Sequence, residues 1–307
     1  MGLGVGPGYL PRGTSLRSRM HLKAISDLHL ANEANREALL ELPAFKDDWL
    51  IVAGDVAEKL EHIRFAFGEL SRRFAKVFWV PGNHDLWAGP ETQGGRVLVG
   101  EERYRKIVEY AREHGVLTPE DPYETWHGPE GPRTIVPLFL LYDYSFRPDD
   151  VAREDVVAWA REGRAVCADE LFLDPAPWES RDAWCMSRCD EAERRLSELP
   201  PGQPTILVNH FPLRRDLARL PRAPRFAPWC GTRRTEDWHV RFNAEVVISG
   251  HLHIRKTDWR DGTRFEEVSL GYPYQWDRSR GMAGYLRDIL PGSAPSEAAT
   301  SAASLSR

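Results

Sequence analysis

Residues 49–55 read Trp-Leu-Ile-Val-Ala-Gly-Asp, an apolar run that stops abruptly at a glycine and an acid. A run of this length, bounded by a chain breaker, is typical of a strand that is buried on both faces of a sheet. Residues 22–26, 77–80, 205–208 and 245–249 have the same character, and a polar cluster directly follows each of them. The chain therefore contains five candidate buried strands that end at polar side chains.

Helical periodicity lies between some of these strands. It is clearest over residues 58–74 and 101–114, and the second segment stops at Gly115, which fits a helix C-cap. A further helix is predicted near 182–199, and Asp261-Gly262 predicts a hairpin turn. Strands that alternate with helices favour an α/β fold, in which the carboxyl ends of the strands meet at one edge where ligands bind. We therefore expect the five polar clusters to converge at that edge.

The chain has no internal repeat and no linker, so we expect one domain over residues 20–290. Residues 90–200 interrupt the strand rhythm, and we interpret them as a large insertion of about that extent that caps the site. Residues 1–19 resemble a flexible tail. Residues 291–307 are small and polar, cannot form a core, and are predicted to be a second flexible tail.

Composition excludes several classes of protein. The chain has 307 residues, of which 42% are hydrophobic, and it has no apolar stretch long enough to span a membrane. Four cysteines are too few for a disulfide framework and no secretory signal pattern is present, so we predict a cytoplasmic protein with free thiols. Cys185 and Cys189 offer an alternative, a zinc site shared with Cys167 or Cys230. A net charge of -5 argues against a nucleic-acid partner, and no membrane partner is expected.

The polar clusters are rich in metal-ligating side chains. Five of the ten histidines lie in them. One such motif is usually structural, but five at one sheet edge predict a metal site. Imidazole, carboxylate and amide groups without a thiolate favour Mn, Fe or Zn over Ca. The candidate residues are Asp27, His29, Asp55, Asn83, His84, His210, His251 and His253.

The motifs also resemble those of a known family. They are Asp27-Leu28-His29, Gly54-Asp55, Gly82-Asn83-His84-Asp85, His210 and Gly250-His251-Leu252-His253, and they resemble the motifs of the calcineurin-like metallophosphoesterases. The resemblance spans residues 27–253. It implies a four-layer α/β/β/α sandwich with two divalent metal ions at the strand ends, Mn or Fe first and Zn as the alternative.

The resemblance further implies a role for each residue. One metal would be held by Asp27, His29, Asp55 and His253, and the other by Asp55, Asn83, His210 and His251. Asp55 would bridge both metals, because a carboxylate offers an anionic oxygen to each of two cations. His84 would be catalytic rather than a ligand, since it would face the leaving group and donate a proton. Its orienting carboxylate is Glu58 or Asp85, and both remain candidates.

Longer stretches are similar to one branch of this family, the phosphopantetheinyl hydrolases of mycobacteria. The similar stretches include residues 48–58, 139–146, 181–185, 208–213, 229–232 and 264–269. The resemblance implies a phosphodiesterase that removes 4′-phosphopantetheine from the serine of an acyl or peptidyl carrier protein and leaves the apo-carrier protein. The alternative is a small-molecule phosphodiesterase, for example on cyclic nucleotides, or a phosphomonoesterase. Two other hypotheses are a nuclease and a metal-binding scaffold without catalysis.

Two further segments are candidates for substrate binding. Residues 211–235 hold seven arginines and one acid, and they connect the strand before His210 to the strand before His251. This segment predicts a basic rim, with Arg214 and Arg215 as candidates, that would steer an acidic carrier protein towards the metals. The alternatives are a solvated loop or direct binding of phosphate. In the aromatic run 141–146, strand alternation would place Tyr142 and Tyr144 on one face, against either a pantetheine arm or the core.

Overall fold

A computed structural model describes residues 20–88, 92–93, 96–128 and 131–291. The predicted tails, 1–19 and 291–307, lie outside the described residues except for Pro291. The described strands are β1 (Leu22–Ile25), β2 (Phe45–Val52), β3 (Phe74–Trp79), β4 (Thr92–Gln93), β5 (Arg96–Val97), β6 (Glu124–Gly128), β7 (Gly131–Pro137), β8 (Thr205–Val208), β9 (Ala244–Ser249), β10 (Thr257–Arg260), β11 (Thr263–Glu267) and β12 (Arg287–Leu290). The α-helices are α1 (Glu33–Leu40), α2 (Leu60–Arg73), α3 (Asn83–Leu86), α4 (Gly100–Glu113), α5 (Val156–Glu162), α6 (Asp169–Phe172), α7 (Arg181–Ser197) and α8 (Trp238–Arg241).

The strands form two main sheets. The first has the order β12-β1-β2-β3, with β1, β2 and β3 parallel and β12 antiparallel at the edge. The second has the order β10-β11-β9-β8-β7-β6, with β11, β9, β8 and β7 parallel and an antiparallel strand at each edge. A bridge between Ser26 and Ser269 joins the end of β1 to the residues that follow β11.

Side-chain alternation along the strands produces four layers. On β2, Ile51 packs in the cluster between the sheets, whereas Leu50 and Val52 pack in the cluster that includes the helices. On β8, Ile206 packs in the cluster between the sheets, and Leu207 packs in the cluster that includes the helices. Successive side chains of a strand point to opposite faces, so each sheet buries one face on the other sheet and one face under helices. The predicted α/β/β/α sandwich is the observed fold.

The five buried strands, the three helices and the hairpin predicted from the sequence are all present, with shifted ends in several cases. Gly115 has a φ of +69° just beyond α4, as a C-cap glycine should. The strands that carry the site are divided between the sheets, however: β1, β2 and β3 belong to the first, and β8 and β9 to the second. Among the described residues, no helix is long and apolar enough to cross a membrane.

The prediction of one capping insertion over residues 90–200 is wrong in part. Strands β6 and β7 are members of the second sheet, and β7 pairs with β8 through Val136 and Leu207. Trp126 of β6 packs between the sheets. Of the described residues in this region, those that line the cleft at the strand ends are 166–169. The proline-rich sequence of 118–137 gave no strand signal, although it contains β6 and β7 of the second sheet.

Candidate metal centre

The loops after β1, β2, β3, β8 and β9 meet at one end of the sandwich. They bring together all eight residues that the sequence analysis selected. A cleft of about 270 Å³ opens there, and its lining includes Asp55, Asn83, His84, His251 and His253. Asp27, His29 and His210 are fully buried beside it. Residues from both sheets thus form a single site.

The backbone of this site is unusually constrained. Five non-glycine residues of the site have a positive φ, between +43° and +71°. Each such conformation costs about 1–3 kcal/mol, and it persists where surrounding structure holds it in place, often at functional sites. The loops therefore hold their side chains in fixed directions. The five are Asp27, His29, Asp55, His251 and His253.

Two glycines allow the loops to approach one another closely. A Cβ at Gly82 would overlap the Asp55 carboxylate, and a Cβ at Gly250 would overlap the Asp27 carboxylate and the Ser26 hydroxyl. Any side chain at these positions would push a candidate ligand out of place. This accounts for the glycine in each of the two motifs.

The first cluster of donor atoms surrounds Asp27. His253 Nε2 lies 2.9 Å from Asp27 Oδ1 and 3.2 Å from His29 Nε2. The Asp27 Oδ2 atom accepts hydrogen bonds from the hydroxyls of Ser26 and Ser269, at 2.5 and 2.7 Å. The Asp27 Oδ1 atom therefore faces the imidazole rings of His29 and His253. Hydrogen bonds from the two serine hydroxyls fix the Oδ2 atom.

The second cluster surrounds Asp55. His210 Nε2 lies 3.4 Å from Asp55 Oδ2 and 3.2 Å from Asn83 Oδ1. His210 Nδ1 donates to the carbonyl oxygen of Ala53 at 2.8 Å, which directs Nε2 into the cluster. His251 is adjacent, with its ring centroid 5.2 Å from that of His210.

These donor atoms fit divalent metal ions. Atoms bound at about 2.1 Å to one ion lie about 3 Å apart, and the spacings in both clusters are close to that value. Burial lowers the pKa of His29 to about 4 and that of His251 to about 3, so both rings are neutral at pH 7 and offer lone pairs. His29 Nδ1 and His251 Nε2 are also buried, and neither has a hydrogen-bond partner among the described residues. Three overlapping groups have ligand atoms within 4.8 Å of one another, and they comprise Asp27, His29 and His253; His29, Asp55 and His84; and Asp27, Asp55 and His210.

His84 has a different environment from the ligand candidates. Its Nδ1 lies 2.7 Å from Glu58 Oε1, and its ring packs on Trp87 with a centroid distance of 3.7 Å. Burial lowers its pKa, but the charges of Asp55 and Glu58 outweigh that effect, and the pKa of His84 is raised overall. The carboxylate that orients His84 is therefore Glu58.

Asp85, the other candidate for that role, is part of the loop structure. Its carboxylate accepts hydrogen bonds from the backbone N–H groups of Asp55, Val56, Ala57 and Gly82. It is fully buried and makes no hydrogen bond to His84 within the described residues. Asp85 holds the loop after β2 against the loop after β3.

Sequence reasoning missed three residues of the site. Asp169 Oδ1 accepts a hydrogen bond from Asn83 Nδ2 at 2.9 Å and lines the cleft. Gln275 Oε1 lies 2.8 Å from His253 Nδ1 and fixes that ring. Tyr272 stacks on His29 with a centroid distance of 4.3 Å. None of the three belongs to a strand-end motif, so no local signal marked them.

The structure corrects the prediction that Tyr142 and Tyr144 bind substrate. Their side chains are 0% and 1% exposed, and neither lines the cleft. The segment that holds them is not a strand, and Tyr144 has a φ of +61°. Its hydroxyl donates to Glu170 at 2.8 Å. Both tyrosines belong to the core, which was the alternative interpretation.

Among the described residues, neither Arg214 nor Arg215 lines the cleft, and a role for Arg215 in a basic rim stays a prediction. Arg214 donates to Asp216 at 2.9 Å and lies 3.7 Å from Asp261 in the β10–β11 turn. That turn lies at the opposite end of the sheet from His251, because β11 begins beside the start of β9. Arg214 therefore points away from the candidate ligands.

The four cysteines are free and buried. Cys185 and Cys189 lie on α7 and pack in the hydrophobic core. Among the described residues, no group suited to a metal contains a cysteine. The prediction of free thiols is confirmed, and the alternative of a shared zinc is not supported.

Comparisons with known proteins agree with this site. The family model of the calcineurin-like phosphoesterases matches residues 20–255. The chain is 49% identical to the acyl-carrier-protein phosphodiesterase PptH of Mycobacterium tuberculosis over 272 residues, which are 88% of this chain and 83% of the relative. It also matches the crystal structure of phosphopantetheinyl hydrolase PptH from that organism, with a TM-score of 0.85, 48% identity, and coverage of 91% of this chain and 99% of the other. The chain belongs to the calcineurin-like phosphoesterase family and is a hydrolase.

Proposed function

We propose that this protein is a metal-dependent phosphodiesterase that removes 4′-phosphopantetheine from the serine of an acyl or peptidyl carrier protein. The observation that carries the proposal is the 49% identity to an acyl-carrier-protein phosphodiesterase over 88% of the chain. The match extends well beyond the metal motifs that the whole family shares. All eight candidate site residues lie in or beside one cleft, which supports an active enzyme rather than a scaffold.

Two divalent cations would occupy the two clusters. Asp27, His29, Asp55 and His253 would hold one ion, and Asp55, Asn83, His210 and His251 would hold the other. The absence of a thiolate from this donor set favours Mn or Fe, with Zn as the alternative. When bound, the ions supply Lewis acidity to a water nucleophile and to the phosphodiester.

The chain's own residues would complete the reaction. His84 lines the cleft, and Glu58 holds its Nδ1 atom. Its Nε2 atom, 4.0 Å from Asp55 Oδ2, would face the leaving serine oxygen. The raised pKa of His84 keeps the ring protonated closer to neutral pH, so it can donate a proton to the serine oxygen. Glu58 fixes the ring and stabilises its positive charge.

The location of the protein remains a prediction. Four free, buried cysteines agree with a reducing compartment such as the cytoplasm. The carrier proteins that would be its substrates are acidic as a class, which a basic surface near the cleft would favour.

Mass spectrometry of a panel of holo-carrier proteins tests the proposal. After incubation with the enzyme and Mn²⁺, we expect the carrier protein to lose the mass of phosphopantetheine. An unchanged panel, together with turnover of cyclic nucleotides or phosphomonoesters, would overturn the proposal in favour of a small-molecule substrate. A His84→Ala variant serves as the control for contaminating hydrolases.

A further inference from the structure

Four arginines stand apart from the other cations of the described chain. Arg161, Arg164, Arg219 and Arg222 are exposed, and their guanidinium groups make no hydrogen bond, ion pair or ring contact with any described residue. Arg215 is half-buried and bonds to Glu236 through its backbone N–H. The side chains of the remaining described arginines and lysines each have a polar or charged partner. Arg194 on α7, for example, pairs with Glu191 and Glu198. Unpaired cations grouped on one surface are available to a partner.

The four arginines come from two segments that pack together. Arg161 and Arg164 lie at the end of α5, and Arg219 and Arg222 lie in the loop before Arg225. The Arg225 guanidinium donates to the carbonyl of Trp159 at 2.5 Å and packs over the Trp159 ring. A Cβ at Gly163 would overlap the Arg225 side chain, so the two segments are in direct contact.

This basic surface borders the metal cleft. Val166 and Phe226, which follow the two pairs of arginines in the sequence, both line the cleft. Ala218 and Leu220, on either side of Arg219, pack in one cluster with Leu252. Leu252 lies between His251 and His253, so this loop packs against the candidate metal ligands.

An exposed apolar strip adjoins the same cleft. Val166, Leu171 and Phe172 are 67%, 79% and 44% exposed. Phe172 packs on Trp87 with a centroid distance of 5.3 Å, and Trp87 lines the cleft beside His84. The acids of residues 161–172 are each paired within the protein: Asp169 accepts from Asn83, Glu170 pairs with Arg181, and the exposed Glu162 lies 3.3 Å from Arg225. The surface is therefore apolar and positive.

We propose that residues 161–172 and 219–222 form a docking surface for the acidic carrier protein. This inference rests on the proposed function and says where the partner binds. The unpaired arginines would attract an acidic face, the apolar strip would be buried on contact, and the modified serine would lie at the mouth of the cleft. Charge complementarity favours an acidic protein over a neutral or basic one.

Removal of the four charges tests the docking surface. We expect the fourfold variant R161Q/R164Q/R219Q/R222Q to lose about 10-fold or more in kcat/KM on a holo-carrier protein, mostly through KM. Hydrolysis of bis(p-nitrophenyl) phosphate should stay within about twofold, because the metal site is untouched. Raised salt should slow the wild type on carrier protein more than it slows the variant.

A control variant removes two charges elsewhere on the protein. Arg194 and Arg241 are exposed and lie on helices that precede β8 and β9, at the end of the sheet opposite the cleft. The R194Q/R241Q variant should keep wild-type kcat/KM on both substrates. A loss equal to that of the fourfold variant would mean a general charge effect and would overturn the proposal.

The apolar strip has its own pair of variants. Leu171→Ser should raise KM for the carrier protein, whereas Val240→Ser, which alters a 59% exposed side chain on α8, should not.

If the wild type cleaves carrier protein and the fourfold and Leu171→Ser variants do so equally well, the docking surface is wrong and the proposed function stands. Equal loss on both substrates would assign the arginines to the integrity of the cleft. If the wild type cleaves no holo-carrier protein, the proposed function itself fails.

Discussion

The Asn83 side-chain amide donates a hydrogen bond to Asp169 Oδ1 at 2.9 Å, and this bond ties the segment above the cleft to the candidate metal centre. The bond fixes the orientation of the amide. Asn83 Nδ2 faces Asp169, so Asn83 Oδ1 faces His210 Nε2 at 3.2 Å. Trp87 Nε1 donates to the same Asp169 oxygen at 2.7 Å. Asp169 thus positions a candidate ligand and one wall of the cleft together.

We expect Asp169→Ala to weaken binding of the second metal and to lower activity, each by about 10–100-fold, the usual cost of losing a partner that orients a ligand. Elemental analysis after dialysis should find less than two metals per chain. Asp169→Asn retains an acceptor oxygen and should lose less. Two tightly bound metals and wild-type turnover in Asp169→Ala would show that Asn83 needs no such partner.

The sequence alone predicts the strands and the clusters that follow them, because each signal is local. An apolar run such as 49–53 favours burial whatever its neighbours in the fold. The polar clusters converge because parallel strands have their carboxyl ends at the same edge of a sheet. Strand β6, Glu124–Gly128, is a mostly half-exposed edge strand, and its proline- and glycine-containing surroundings resemble a loop. It therefore lacks the apolar run on which the prediction depends.

The sequence alone does not predict which residues distant in the chain contact one another at the site. Asp169 lies 86 residues from Asn83, and nothing around it marks a site. The arginine-rich segment has a clear charge signal, but the sequence does not show that Arg214 is held by Asp216 whereas Arg219 has no partner among the described residues. Pairing depends on the path of the loop in three dimensions. The sequence therefore predicts a basic segment but does not show which of its arginines are unpaired.

We expect His84→Ala to keep both metals and to lose about 10²–10⁴-fold in turnover of a holo-carrier protein, because the serine oxygen must gain a proton to leave. The loss should be much smaller for bis(p-nitrophenyl) phosphate, since nitrophenolate leaves without a proton. Parallel kinetics on the two substrates, with metal content measured on each preparation, make this comparison. An equal loss on both would rule out the role of general acid.

We expect Glu58→Gln to move the basic limb of the pH–rate profile to lower pH. A general acid is active while protonated, so activity falls as pH rises through the pKa of His84. The Glu58 carboxylate contributes to the raised pKa of that ring, and a neutral amide removes its charge. The kcat profile on a holo-carrier protein from pH 6 to 10 measures the shift. A basic limb that does not move would separate Glu58 from the protonation of His84.

Metal binding should release about two protons per chain at pH 7. In the metal-free protein, burial lowers the pKa of His210 and of His253, but the nearby carboxylates of Asp55 and Asp27 outweigh burial and raise these values to about 10 and about 9. Both imidazoles are therefore protonated at pH 7, and each must lose a proton to bind a cation. The number released should fall below one by pH 10, where His253 is mostly neutral and His210 is about half protonated, and metal affinity should rise over the same range. Titration calorimetry of Mn²⁺ into the metal-free protein, in buffers that differ in ionisation enthalpy, counts these protons.

The His253→Ala variant should release about one proton fewer than the wild type on binding metal. A wild-type binding enthalpy that does not depend on the buffer would contradict the assignment of both histidines as ligands.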